Sequence, residues 1–197
     1  DTSLQKKFSA TEWAHYNRLI HKTGGLKTSS VGRLFDGVAS ILGLVDQTTY
    51  EGEAALMLET LATDYIQDIG YGKLTSYFNE IEVGSIAYQP LANGILRDTK
   101  EYSRGFIAAR FHYSLADGIR QVAKKHNIRK IAMSGGVFQN ALLVDMVCNL
   151  MNDNYELYFH QQLSPNDENI SLGQLAHYQT QQKAQAITTA KNKLIET

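Results

Sequence analysis

The feature that most constrains this chain lies in its last third. Residues 130–133 (Lys-Ile-Ala-Met) form a short apolar run that stops at Ser134-Gly135-Gly136, and 138–151 then carry apolar residues at helical spacing. A second short strand is expected over 155–159 and a closing helix over 171–190. Strand, helix, strand, helix in succession implies parallel strands joined by a crossover, since a tight hairpin would reverse the second strand. The chain therefore reads as α/β.

The rest of the sequence is helical in pattern. Helices are expected over 11–21, with Trp13, Leu19 and Ile20 supplying apolar contacts, and over 31–42, 50–67, 90–97 and 102–127. In the second of these, Val31, Leu34, Phe35, Val38, Ile41 and Leu42 follow the i, i+3, i+4, i+7 rule, with Ser29 or Ser30 placed to cap. Residues 73–87 include alternating stretches and predict one or two short strands. A helix-rich protein with a small, incomplete parallel sheet follows. Composition narrows the function classes. One cysteine excludes an internal disulfide and argues against a thiolate zinc site. Nineteen basic against 20 acidic residues, a net charge of −1, give no electrostatic case for a nucleic-acid or membrane partner. With no long apolar run, a cytoplasmic location is the expectation. The sequence opens at Asp1 rather than Met, as an excised piece would.

Three segments carry candidate chemistry. In Ser134-Gly135-Gly136-Val137-Phe138-Gln139-Asn140, two glycines after a parallel strand allow a tight turn and close approach of a ligand to backbone. The helix that follows offers free N–H groups and a positive dipole end to a phosphate or a nucleotide edge, and Asn140 adds a donor and an acceptor. The bland alternative is a glycine connection that only makes room for packing. In the loop 165–174, Asp167 follows a strand and precedes a helix, where α/β proteins place ligand chemistry, and it suits a metal or a helix cap. Asp36 lies among apolar helix residues with Gly32 and Gly37 beside it, which fits close approach of a ligand or of another helix.

Two further patterns are weaker. Gly24-Gly25-Leu26-Lys27-Thr28 lacks the spacing of a phosphate-binding P-loop. Ala132-x-Ser134-x-Gly136 approximates a nucleophile elbow, and Asp167 and His177 follow in hydrolase order, so a serine hydrolase using Ser134 is an outside alternative. The histidines at 15, 21, 112, 126, 160 and 177 show no metal-binding spacing, although His160 ends the strand before the acidic loop. Cys148, among Leu142, Leu143, Met146, Val147 and Leu150, reads as a buried structural thiol.

Taken together, 28–43 (TSSVGRLFDGVASILG), 50–59 (YEGEAALMLE), 133–140 (MSGGVFQN) and 165–174 (PNDENISLGQ) resemble the C-terminal part of the hydrogenase maturation carbamoyltransferases. Phe111-His112 and Leu115-Ala116 fit the same pattern. More distantly the chain is similar to the universal tRNA threonylcarbamoyladenosine synthesis family. The resemblance implies one lobe of an actin-like, hexokinase-like ATPase fold (a ribonuclease-H-like lobe), with residues 1–197 as a single C-terminal lobe of a larger enzyme. The upstream lobe and further modules lie outside this sequence. It implies ATP or carbamoyl-adenylate held by Ser134, Gly135, Gly136 and Asn140, with Asp36 and Gly32 near the ribose. Asp167 matches an aspartate that joins two upstream histidines around a divalent metal. The implied reaction uses carbamoyl phosphate and ATP to carbamoylate a C-terminal cysteine of a hydrogenase-maturation partner, the isolated piece being inactive; the alternative is a non-catalytic docking or scaffold fragment. One departure is that Glu168-Asn169 stands where the family usually has Gly-Gly.

Overall fold

The computed structural model describes residues 5–22, 28–81 and 88–195, with side chains described through residue 183. The chain divides into two compact units, Asp1–Ser30 and Val31–Thr197. The first contains α1 (Ala10–His21), started by a capping box in which Ser9 accepts from the Glu12 amide and the Glu12 carboxylate accepts from the Ser9 amide. Phe8 packs its ring against Trp13 and Tyr16. The apolar role expected of Leu19 and Ile20 is not met, for both are exposed and α1 buries no residue.

The second unit holds α2 (Val31–Ile41), α3 (Glu53–Ile69), α4 (Tyr88–Asp98), α5 (Arg104–Lys125), β1 (Lys130–Ala132), α6 (Ala141–Met151), β2 (Glu156–Tyr158) and α7 (Ile170–Ile195). The sequence patterns predict these elements to within a few residues. Helix α5 is the central member and packs on α3 and α6. It begins where the Ser103 hydroxyl accepts from the Phe106 amide, and it buries Ile107, Ala108, Phe111, His112 and Ala116. Phe35, Val38 and Ala39 of α2 and Leu58 and Ala62 of α3 complete one side of the core, and Leu143, Met146 and Val147 of α6 the other. The strands pair in parallel with Lys130 opposite Glu156, Ile131 opposite Leu157 and Ala132 opposite Tyr158, α6 being the crossover.

Two expectations are corrected. Residues 73–81 form no strand, and 82–87 lie outside the described residues. Leu74, Tyr77, Phe78 and Ile81 are buried, and side chains of α5 bind the segment's backbone where a ladder would otherwise be needed. The Tyr77 amide donates to Ser114 Oγ, the Ile81 amide to Gln121 Oε1, and Lys125 Nζ donates to the Ile81 carbonyl. The helix after the glycine turn also starts later than expected. A 3-10 turn over Gly136–Gln139 comes first, and α6 begins at Ala141 with Asn140 as its cap. The Gly24–Lys27 part of the P-loop-like pattern falls outside the described residues.

Candidate functional site

The parallel pairing of β1 and β2 sends both strands out at the same end, so the loops that follow them lie side by side. Three hydrogen bonds join these loops. The Gly135 amide donates to the Pro165 carbonyl at 2.7 Å, Gln139 Nε2 donates to Ser164 Oγ at 3.3 Å, and Ser134 Oγ lies 3.1 Å from His160 Nε2. Gly135 has φ +108°, a conformation that a side chain rarely tolerates. Gly136 has an ordinary φ, and a Cβ there would meet only Asn166 Cβ and Gln139 Oε1, both at 3.8 Å. The first glycine makes the turn; the second leaves room beside it.

The turn is anchored from below by a buried network. Asn140 Oδ1 accepts from the Leu143 amide at 2.8 Å, and its Nδ2 donates to His112 Nε2 at 3.0 Å. His112 Nδ1–H donates in turn to the Ala108 carbonyl at 2.8 Å, which fixes the neutral tautomer. Burial pushes the imidazole down to about 4, only partly opposed by the Ala108 hydrogen bond. Phe35 meets the rings of Phe111 and His112 edge-on at 4.9 and 5.3 Å. From α3, the Glu59 carboxylate accepts from the Leu142 amide at 3.1 Å. The segments 28–43, 50–59, 111–112 and 133–140 therefore converge beneath the glycine turn.

This changes the role of two elements. Asn140 is buried, and the chain itself engages its carbonyl oxygen and its amide nitrogen. The first turn of α6 is not open to a phosphate, because Asn140 and the negatively charged Glu59 already accept from its amides. Glu59 and His112 were visible as parts of segments but not as partners, since 83 and 28 residues separate each from the group it binds. Asp36 is partly exposed on α2, where Arg33 pairs with it at 3.0 Å. Among the described residues no hydrogen bond or ion pair joins Asp36 to the turn; its neighbour Phe35 makes the connection. Gly32 lies in the first turn of the same helix.

Asp167 is exposed and begins a 3-10 turn over Asp167–Asn169, capped by Asn166, whose Oδ1 accepts from the Glu168 amide. Asn169 Nδ2 donates to the Ser164 carbonyl at 2.7 Å, so the residue in the place of a usual glycine braces the loop. Among the described residues no three His, Cys, Asp or Glu side chains gather as a metal site, and Asp167 stands as one potential ligand. The hydrolase order is not assembled either. His177 sits on α7 paired with Gln181, and no carboxylate hydrogen-bonds His160 among the described residues. Cys148 is half-buried rather than buried, its thiol pushed up by burial and then by Asp145. No described helix is long and apolar enough to cross a membrane.

Comparison with known proteins places the chain in a family. Residues 2–174 match the family described as "Carbamoyltransferase, Kae1-like Domain, second subdomain". The carbamoyltransferase HypF of Synechocystis sp. is 36% identical over 149 residues, covering 75% of this chain and 19% of that protein. HypF of Rhodobacter capsulatus is 33% identical over 154 residues, covering 75% and 19%. A crystal structure of full-length HypF in a phosphate- and nucleotide-bound form superposes with a TM-score of 0.66 at 25% identity, covering 88% of this chain and 23% of that one. The α/β, helix-rich fold with its small parallel sheet is thus the fold of that protein's matching part. The chain spans about a fifth of the length of these two curated relatives.

Proposed function

The chain belongs to the HypF carbamoyltransferase family, in the Kae1-like second subdomain, and from that membership we propose that it forms the nucleotide-binding lobe of an ATP-dependent carbamoyltransferase. In the complete reaction, carbamoyl phosphate is hydrolysed to carbamate and phosphate, and the carbamate oxygen attacks the α-phosphorus of ATP to give carbamoyl-adenylate with pyrophosphate leaving. The carbamoyl group then passes to a cysteine thiolate at the C-terminus of a hydrogenase-maturation partner, with AMP leaving. The observation that carries this reading is the convergence of the family-like segments on one glycine turn, with room left at Gly136.

The local electrostatics support one orientation of the nucleotide. Glu59 places a carboxylate at the start of α6, and the inner end of the turn is buried and neutral around Asn140 and His112. An anion is disfavoured there and an uncharged nucleoside is not. The adenosine therefore lies along Gly135 and Gly136, and the phosphates point away from α6. Asn140 acts by holding the turn. Asp36 and Gly32 approach the ribose from α2. A divalent metal near the phosphates has Asp167 as its one ligand from this chain, with the others supplied by an upstream lobe. ATP titration into this chain by calorimetry tests the reading. Gly136→Val is expected to weaken binding at least roughly ten-fold, because its methyls occupy the space that the nucleoside needs. Equal affinity in wild type and variant would remove the turn from the site; no binding by the wild type would favour a docking or scaffold role.

A further inference from the structure

The pairing of Ser134 with His160 is not a chance surface contact. The register of the sheet places Lys130 opposite Glu156 and Ala132 opposite Tyr158, and the same offset places Ser134 opposite His160 one alternation further on. All six residues are exposed, whereas Ile131, Met133, Leu157 and Phe159 between them turn inward. The backbone is held on both sides of Ser134, the Met133 amide donating to the Tyr158 carbonyl at 2.8 Å and the Gly135 amide to the Pro165 carbonyl at 2.7 Å. The hydroxyl and the imidazole are thus fixed where the two loops meet, at the outer end of the glycine turn.

Their hydrogen-bond chemistry is adaptable. With a bare Nε2, the Ser134 hydroxyl donates to His160. With Nε2 protonated, the imidazole donates to Oγ, and the hydroxyl proton is free to point outward. Phosphate oxygens only accept, so they select the second arrangement. The inner end of the turn repels an anion through Glu59. The outer end carries His160, which hydrogen-bonds a residue of the turn from the adjoining loop. Asp167 and Glu168 in that loop are exposed, where solvent screens them.

We propose that Ser134 and His160 together form a phosphate-oxygen subsite at the outer end of the glycine turn. The proposal rests on the nucleotide reading above and adds to it the residues that receive the charged end of the ligand. The test measures the affinity of this chain for AMP, adenosine and inorganic phosphate, in wild type, Ser134→Ala, His160→Ala and the double variant. All replaced side chains are exposed, so the fold is retained. Each single variant is expected to weaken AMP binding roughly ten-fold and to leave adenosine within about two-fold. The double variant should fall well short of the product, because the two groups act as a pair. Inorganic phosphate should compete with AMP and not with adenosine. Equal losses for AMP and adenosine would mean that the pair only shapes the turn, and unchanged AMP binding would remove it from the site. Either result overturns the proposal while leaving the nucleotide reading intact; failure of the wild type to bind either AMP or adenosine overturns both.

Discussion

His112 is a titratable group placed where it has no room to titrate. Its ring is fully buried, its Nδ1–H is used by Ala108, and its Nε2 accepts from Asn140. Protonation would set two donors against each other and leave a charge without a partner. The folded pKa of about 4 lies below the ordinary 6.5. Between these values the unfolded chain holds a proton that the folded chain does not. Stability is therefore complete above pH 6.5 and falls as the pH drops toward 4, by roughly 3 kcal/mol from this group. Urea unfolding at pH 7 and pH 4 should show that loss. His112→Gln, which keeps an acceptor toward Asn140 and cannot titrate, should lose about 3 kcal/mol less over the same interval. Parallel pH profiles for the two proteins would contradict a neutral buried His112.

At the scale of elements, the segment 74–81 is held by helices on two sides. Tyr77 donates its hydroxyl to the buried Asp98 at the end of α4, and Arg110 of α5 donates to the same carboxylate oxygen while stacking its guanidinium over the Tyr77 ring at 4.1 Å. Burial, followed by the Asp98 hydrogen bond, raises the phenol well above its ordinary range, so it remains a donor. The ring fits because α4 has a glycine opposite it: a Cβ on Gly94 would lie 2.3 Å from Tyr77 Cδ1. Gly94→Ala gains helix propensity on an exposed helix, yet here it is expected to destabilise by about 1–3 kcal/mol, as overpacking does. Pairing it with Tyr77→Ala should turn the loss from Gly94→Ala into little or none. A neutral or stabilising Gly94→Ala in the wild-type background would show that the segment moves freely off α4.

Across the whole molecule, what the sequence made legible was what repeats or punctuates locally. The apolar run 130–133, the glycines after it and the spacing of Leu142, Leu143, Met146 and Val147 all lie in one stretch, and together they imply the crossover and the turn. Val31 to Leu42 likewise predicts its own helix and most of its inward face, although Ile41 is exposed. What was hidden depends on partners far along the chain. Segment 73–81 carries strand-like residues, but Ser114, Gln121 and Lys125 serve its backbone from about 40 residues away. Asn140 looks like a ligand group until His112 and the Leu143 amide are seen to engage it. The open α6 N-terminus expected from the strand–turn–helix pattern disappears for the same reason, with Glu59 arriving from α3. Candidate residues at Ser134, Gly135, Gly136 and Asp167 share one end of the sheet, while Asp36 lies on α2 beside Phe35, whose ring meets His112 beneath the turn.

The two-stranded ladder joins residues 26 apart across α6. With three paired positions and one exposed face, it is expected to open before the helical core. Hydrogen exchange should show the Met133 and Gly135 amides opening at a lower free energy than those of Leu58, Ile107 or Phe111 in the helical core. Equal protection across both sets would mean that strands and core open as one unit. A loop pair that opens before the core gives a ligand bridging it an outsized grip on local breathing, since binding there need only oppose an opening energy smaller than the core's.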